Sequence, residues 1–117
     1  MTFQRRGLGV WGENIAADYL QKIGMQIIER NYRCRLGELD IIARQGAYLV
    51  FIEVRTRSSA ICGLPQESIT ASKIKKVRRL ALSYLAQKSL DNVNIRFDVV
   101  AVYCAGETTV THIENAF

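Results

Sequence analysis

Asp40, Glu53 and the fixed cations Arg55 and Arg57 stand close together in the segment Gly37 to Arg57, GELDIIARQGAYLVFIEVRTR. Asp40 lies in one apolar run, Leu39 to Ala43. Glu53 lies in the next, Tyr48 to Val54, with Arg55 and Arg57 after it at alternate positions. Alternation along a strand puts Phe51, Glu53, Arg55 and Arg57 on one face and Val50, Ile52 and Val54 on the other. The connection, Arg44 to Ala47, is short enough for a hairpin built around Gly46. If the two strands pair, Asp40 and Glu53 lie across from one another with their carboxylates aimed at one point. Two acids so placed raise each other's pKa, and a divalent cation resolves the repulsion. Oxygen ligands of this kind suit Mg²⁺ or Mn²⁺. Glu53 is also the exception in a strand that is otherwise apolar at nearly every position, and a charge there is costly to bury without a counter-charge. Acids to hold a metal and cations to hold phosphate make the layout of a phosphodiesterase site. The competing reading is a strand acid neutralised by Arg55, Arg57 or a base elsewhere, because structural ion-pair networks also collect charges in strands.

The blocks GVWGE (Gly9 to Glu13), Asn31 with Arg33, GELD (Gly37 to Asp40), FIEVRTR (Phe51 to Arg57), Lys73 and RFD (Arg96 to Asp98) span nearly the whole chain. In their order and spacing the chain resembles the YraN family of small bacterial proteins. That family is similar to the archaeal Holliday junction resolvases and, through them, to the restriction-endonuclease-like superfamily with its PD-(D/E)xK signature. The resemblance implies an endodeoxyribonuclease acting on branched or structured DNA. It implies Asp40 and Glu53 as metal ligands, the Val54 carbonyl as a third, and Glu13 assisting through metal or water like the first-helix glutamate of the resolvases. It also implies a homodimer, since a four-way junction presents paired strands to a twofold assembly.

The chain departs from the signature at Arg55, which stands at the lysine position, and no proline precedes Asp40. Arginine keeps its charge under all working conditions and cannot serve as a general base. It can still hold a phosphate by a forked pair of hydrogen bonds, and activation of water then falls to the metal. Two other readings follow from this departure and from the charge. One is a non-catalytic nucleic-acid-binding module on a nuclease scaffold. The other is a basic protein-interaction factor whose acids serve only as internal ion pairs.

Periodicity predicts a helix from about Val10 to Ile23, a strand near Met25 to Arg33, the two acid-bearing strands, a helix from about Thr70 to Gln87, and strands near Asn94 to Tyr103 and Thr108 to Glu114. The order αβββαββ gives an α/β fold with a central mixed sheet flanked by helices. Ile15, Ala16, Tyr19, Leu20 and Ile23 form the buried stripe of the first helix, with Glu13 on its rim. Gly9 and Gly12 either mark the helix start or permit close backbone approach.

The second helix carries the charge. Ile74, Val77, Ala81, Tyr84 and Leu85 fall on one side and Lys75, Lys76 and Arg79 on the other, with Lys73 and Arg78 at the flanks. No acid occurs from Ser68 to Leu90. Lys73, Lys75, Lys76 and Arg79, together with Arg57, are the expected phosphate contacts. Ser68 or Thr70 is the expected cap, with Gln66 or Glu67 near enough to reach the site. Asp98 shares a strand face with Arg96, and the pair reads as structural.

One compact domain, 1–117, is expected from 117 residues that are 49% hydrophobic with a single proline. The net charge of +5 points toward anionic partners. No apolar run reaches a membrane span and no secretory signal follows Arg5 and Arg6, so a soluble, cytoplasmic protein is expected. Cys34, Cys62 and Cys104 are unpaired in spacing and His112 is the sole histidine. That excludes a zinc site on ligand count and favours unreactive thiols in a reducing compartment.

Overall fold

The computed structural model describes residues 2–58, 69–104 and 106–117. Its elements are α1 (Thr2–Lys22), β1 (Gln26–Cys34), β2 (Gly37–Gln45), β3 (Tyr48–Arg57), α2 (Ala71–Gln87), β4 (Asn94–Tyr103) and β5 (Thr109–Ile113). They build one five-stranded sheet in the order β1-β2-β3-β4-β5. The first three strands are an antiparallel meander, β3 and β4 run parallel, and β5 returns antiparallel on β4. A parallel pair needs a crossover, and α2 lies within it. The arrangement is a mixed sheet with a helix on each face, compatible with the restriction-endonuclease-like fold.

Each face has its own core. Ala16, Ala17 and Leu20 of α1 pack on Ile41, Val50 and Ile52, whereas Val77, Leu80 and Tyr84 of α2 pack on Ile42, Phe51 and Phe97. β3 is therefore covered on both sides, which is why its sequence is apolar almost throughout. Gly46 turns the β2–β3 hairpin with φ +59°. Thr70 caps α2, its hydroxyl accepting the Lys73 N–H at 3.1 Å. The alternative cap Ser68, and Gln66, Glu67 and Cys62, lie outside the described residues.

α1 departs from expectation. It begins at Thr2, well before Val10, so Gly9 and Gly12 sit inside it. Glycine lowers helix propensity and so reads as a boundary, but at Gly12 the cause is tertiary. A Cβ there would come 2.0 Å from the Thr56 hydroxyl oxygen of β3, whereas one at Gly9 would meet nothing within 4 Å. Ile23, expected in the buried stripe, is 39% exposed because the helix ends at Lys22 and the chain turns at Gly24. Leu80, which the expected stripe of α2 omitted, is buried.

The Gly12 contact predicts the sign of a substitution. In an open helix Gly12→Ala would stabilise by about 1 kcal/mol. Here the methyl meets Thr56, and overpacking of this kind costs about 1–3 kcal/mol. A thermal melt should show Gly12→Ala below wild type, with Thr56→Ala restoring part of the loss. A melting temperature above wild type would mean that α1 is free to move off β3.

Asp98 fastens the far side of the sheet. Its carboxylate is fully buried and accepts from Arg96 Nε and Nη2, both at 2.9 Å, and from the Asn115 N–H at 3.0 Å. His112 Nε2 lies 2.8 Å from Asp98 Oδ2, and His112 Nδ1 lies 3.0 Å from the Tyr19 hydroxyl. An ionised carboxylate only accepts, so Nε2 donates to it, and in the neutral ring Nδ1 accepts from Tyr19. The network ties α1, β4 and β5 together. Among the described residues, no helix is long and apolar enough to cross a membrane.

Candidate metal centre

The β2–β3 ladder ends at Ile41 opposite Ile52, and the next residue outward on each strand is Asp40 and Glu53. From there each strand keeps only its outer neighbour. β2 stays paired with β1 as far as Gly37, and β3 with β4 as far as Arg57. The acids thus stand in a fork where two strands part. Asp40 reaches across it, its Oδ2 accepting the Val54 N–H at 2.9 Å. This bond holds one carboxylate oxygen against the peptide that follows Glu53.

The electrostatics of the two acids differ. Glu53 is only 8% exposed, and Lys73 Nζ lies 3.2 Å and Arg55 Nη2 3.7 Å from its Oε1. Asp40 makes no ion pair among the described residues. Burial, and next the Glu53 charge, push its pKa up to about 7, with the Val54 hydrogen bond pulling the other way. Glu13 of α1 adds to the same field. Its own pKa is raised, by burial first and by Glu38, with Arg30 opposing. The Glu13 Oε1 is buried and accepts no hydrogen bond, its nearest cation being Arg30 Nη2 at 3.9 Å. Arg55 Nε is likewise buried without a partner.

An orphaned acceptor and an orphaned donor are each costly in a folded protein. They bracket a cleft of about 500 Å³ lined by Gly9, Glu13, Asp40, Val54, Arg55 and Arg57. The donor set fits a hard divalent cation: carboxylate oxygens with too little positive charge around Asp40, an unused oxygen on Glu13, and a peptide held beside Asp40. Among the described residues, no three side chains of His, Cys, Asp or Glu converge as a complete ligand set. Mg²⁺ commonly takes one or two carboxylates and completes its shell with water and phosphate oxygens, so two acids suffice.

The structure brings Glu13, Asp40, Val54, Arg55 and Arg57 to one cleft and Glu53 to its α2 side. Lys73 belongs with Glu53, whereas Lys75, Lys76 and Arg79 line a separate cleft of about 360 Å³ on the outer surface of α2. The Lys73–Glu53 pair was not foreseen. Its only sequence cue is the position of Lys73 in the first turn after the Thr70 cap, where a long side chain can reach back over the strand ends. Arg30 and Asn14, hydrogen-bonded at 2.7 Å beside Glu13, were also unanticipated.

Element order, sheet topology and the acid fork define an α/β protein compatible with the restriction-endonuclease-like class. The chain belongs to the YraN family: the model for "Uncharacterised protein family UPF0102" matches residues 12–102, a span that contains Glu13, Asp40, Glu53, Arg55 and Lys73. A UPF0102 protein of Syntrophotalea carbinolica is 49% identical over 118 residues, covering 100% of this chain and 96% of the relative. One from Moorella thermoacetica is 51% identical over 114 residues, covering 97% and 95%. UPF0102 protein GSU0650 of Geobacter sulfurreducens is 46% identical over 112 residues, covering 94% and 88%.

Proposed function

We propose that the chain is a Mg²⁺- or Mn²⁺-dependent endodeoxyribonuclease acting on branched or structured DNA. The observation that carries this reading is the fork, in which Asp40 and Glu53 flank the Val54 peptide while Glu13 offers a buried, unused oxygen from the opposite helix. Asp40, Glu53 and the Val54 carbonyl would hold the cation. When bound, the metal supplies a water of lowered pKa and counter-charge for a phosphate. Glu13 Oε1 is free to accept from a water in the cleft. Arg55 exchanges no proton, and its unpaired Nε is free to donate to a non-bridging phosphate oxygen. Arg57 lies next along the same strand face. Hydrolysis adds water across the phosphodiester, forming a new P–O bond as the bond to the leaving alcohol breaks. A four-way junction suits a twofold homodimer, which this reading includes.

One observation favours a second reading. The Lys73 ammonium and the Arg55 guanidinium both lie on Glu53, and an acid neutralised in this way can serve a nucleic-acid-binding module that does not cut.

Incubation with junctions, flaps and duplexes in Mg²⁺ or Mn²⁺ decides between the two. Metal-dependent nicking supports the nuclease. Arg55→Lys is then expected to retain or modestly raise cleavage, and Arg55→Ala to lose about one to three decades, the scale of removing one transition-state charge contact. Should wild type cut nothing while Arg55→Lys cuts, the natural protein is a binding module. If neither cuts and both bind DNA, the nuclease reading fails.

A further inference from the structure

Four separate clefts follow one another around the outside of the protein, each sharing lining residues with the next. The acid cleft shares Gly9 and Glu13 with a second, of about 530 Å³, that Arg30, Arg33 and Glu38 also line. The second shares Arg33 and Glu38 with a third, of about 680 Å³, over the β1–β2 turn, where Arg35, Leu36 and Lys76 join. The third shares Leu36 and Lys76 with the α2 cleft that carries Lys75 and Arg79. Because α1 and α2 cover opposite faces of the sheet, the acid fork and the basic helix face look like separate surfaces. The shared walls of the four clefts form a chain of residues from one to the other, past the β1–β2 turn.

We propose that Arg33, at the end of β1, and Arg35 of the β1–β2 turn form the middle of a nucleic-acid track that carries one phosphate backbone from the acid fork to the basic face of α2. The proposal rests on the reading of the ligand as nucleic acid, though not on cleavage. Charge supports it. Beyond the acid cleft the clefts hold Arg30, Arg33, Arg35, Lys75, Lys76 and Arg79 against the carboxylates Glu13 and Glu38. Arg35 is exposed and makes no ion pair among the described residues. Arg33 is paired with Glu38 at 3.1 Å, but its side chain is 77% exposed. An exposed pair of this kind is worth under about 1 kcal/mol, so it opens to a phosphate at little cost.

The turn is also seated against the helix. Gly37 has φ +143°, and a Cβ there would lie 3.0 Å from Lys76 Cε. The bare glycine lets the Lys76 stem lie close over the turn, so turn and helix present one continuous basic surface.

The test is binding of fluorescent DNA, single-stranded and duplex, in EDTA at several salt concentrations. Neutralising two phosphate contacts with Arg33→Ala/Arg35→Ala should lower the slope of log K against log salt by about 1.8 on duplex or about 1.4 on a single strand. Lys75→Ala/Arg79→Ala should do the same. Arg78→Ala, an exposed base outside the four clefts, should leave the slope unchanged, and Mn²⁺ binding by the turn variant should match wild type. The track is refuted if the folded turn variant keeps the wild-type slope, if Arg78→Ala is as damaging, or if wild type binds no DNA. Binding of polyglutamate as tight as that of DNA would refute it in favour of an acidic protein partner. Failure of the nuclease reading shows instead as absent metal-dependent cleavage, which the DNA-binding measurements in EDTA do not involve.

Discussion

Asparagine in place of Asp40 should abolish Mn²⁺ binding and yet, without metal at pH 8, melt at a higher temperature than wild type. Both effects have one cause. The Asp40 carboxyl is held up to about 7 by burial and by the Glu53 charge, against about 4 in an unfolded chain. Between those values the folded protein binds a proton that the unfolded chain has released. Stability therefore falls as pH rises through this window and stays low above it. At about 1.4 kcal/mol per unit the ceiling is about 4 kcal/mol, shared with Glu53. Asparagine carries no charge and can still accept the Val54 N–H, so the gain should appear as roughly 5 °C or more at pH 8 and vanish near pH 4. Glu53→Gln should also lose the metal but gain no stability, because it leaves Lys73 and Arg55 without their counter-ion. Calorimetric titration with Mn²⁺ and melts across pH check both halves. Unchanged Mn²⁺ affinity in both folded variants would remove the metal site, and a destabilised Asp40→Asn would identify Asp40 as part of a structural ion pair.

Asp98→Asn should be the most damaging substitution outside the cleft. Burial alone would raise the Asp98 pKa, but hydrogen bonds from His112, Arg96 and the Asn115 N–H outweigh it and hold the carboxyl below its ordinary value. A depressed pKa contributes stability above the unfolded value near 4, and that contribution is lost as pH falls through the lower folded value. This contribution should therefore be complete at neutral pH and fade only in acid, below the unfolded value. Asparagine leaves the part-buried Arg96 without its counter-ion, and breaking a fully buried pair costs about 3–5 kcal/mol, which sets the upper bound. That is a large share of the roughly 6–17 kcal/mol expected for a chain of this size. Denaturant titrations at pH 7 and pH 3 should show the variant far weaker at pH 7 and the difference narrowing at pH 3. A loss under about 1 kcal/mol at pH 7 would mean that water or a shifted side chain can replace the carboxylate.

Much of this was legible in local pattern. The alternation around Glu53 placed Phe51 and Val50 on opposite faces, and they lie in opposite cores. Gly46 gave the hairpin that brings Asp40 to Glu53, and Thr70 the start of α2. What stayed hidden depended on contacts between elements. Gly12 could be read as a helix start or as a site of close approach, and close approach proved right there, but its partner Thr56 is remote in sequence and could not be named. Lys73 looked like a flank of the basic face because only the packing of α2 over β3 shows that its ammonium can reach Glu53. His112 looked idle until the register of β5 on β4, with His112 opposite Val100, set it beside Asp98.

The parallel join between β3 and β4 bears on the order in which the molecule assembles. Every other strand pair is antiparallel and joined by a short connection, whereas β3 and β4 run parallel and zip together only after the chain has closed over α2. Closing a long loop before its contacts repay it is the slow event in such topologies. The meander that carries Asp40 and Glu53 is therefore expected to form first, with like charges already facing, while Lys73 arrives with the closing crossover. In a chevron plot Asp40→Asn should speed refolding, and Lys73→Met should act mainly by speeding unfolding. The ammonium on Glu53 would then work as a latch on the finished protein, holding shut a sheet that was assembled without it.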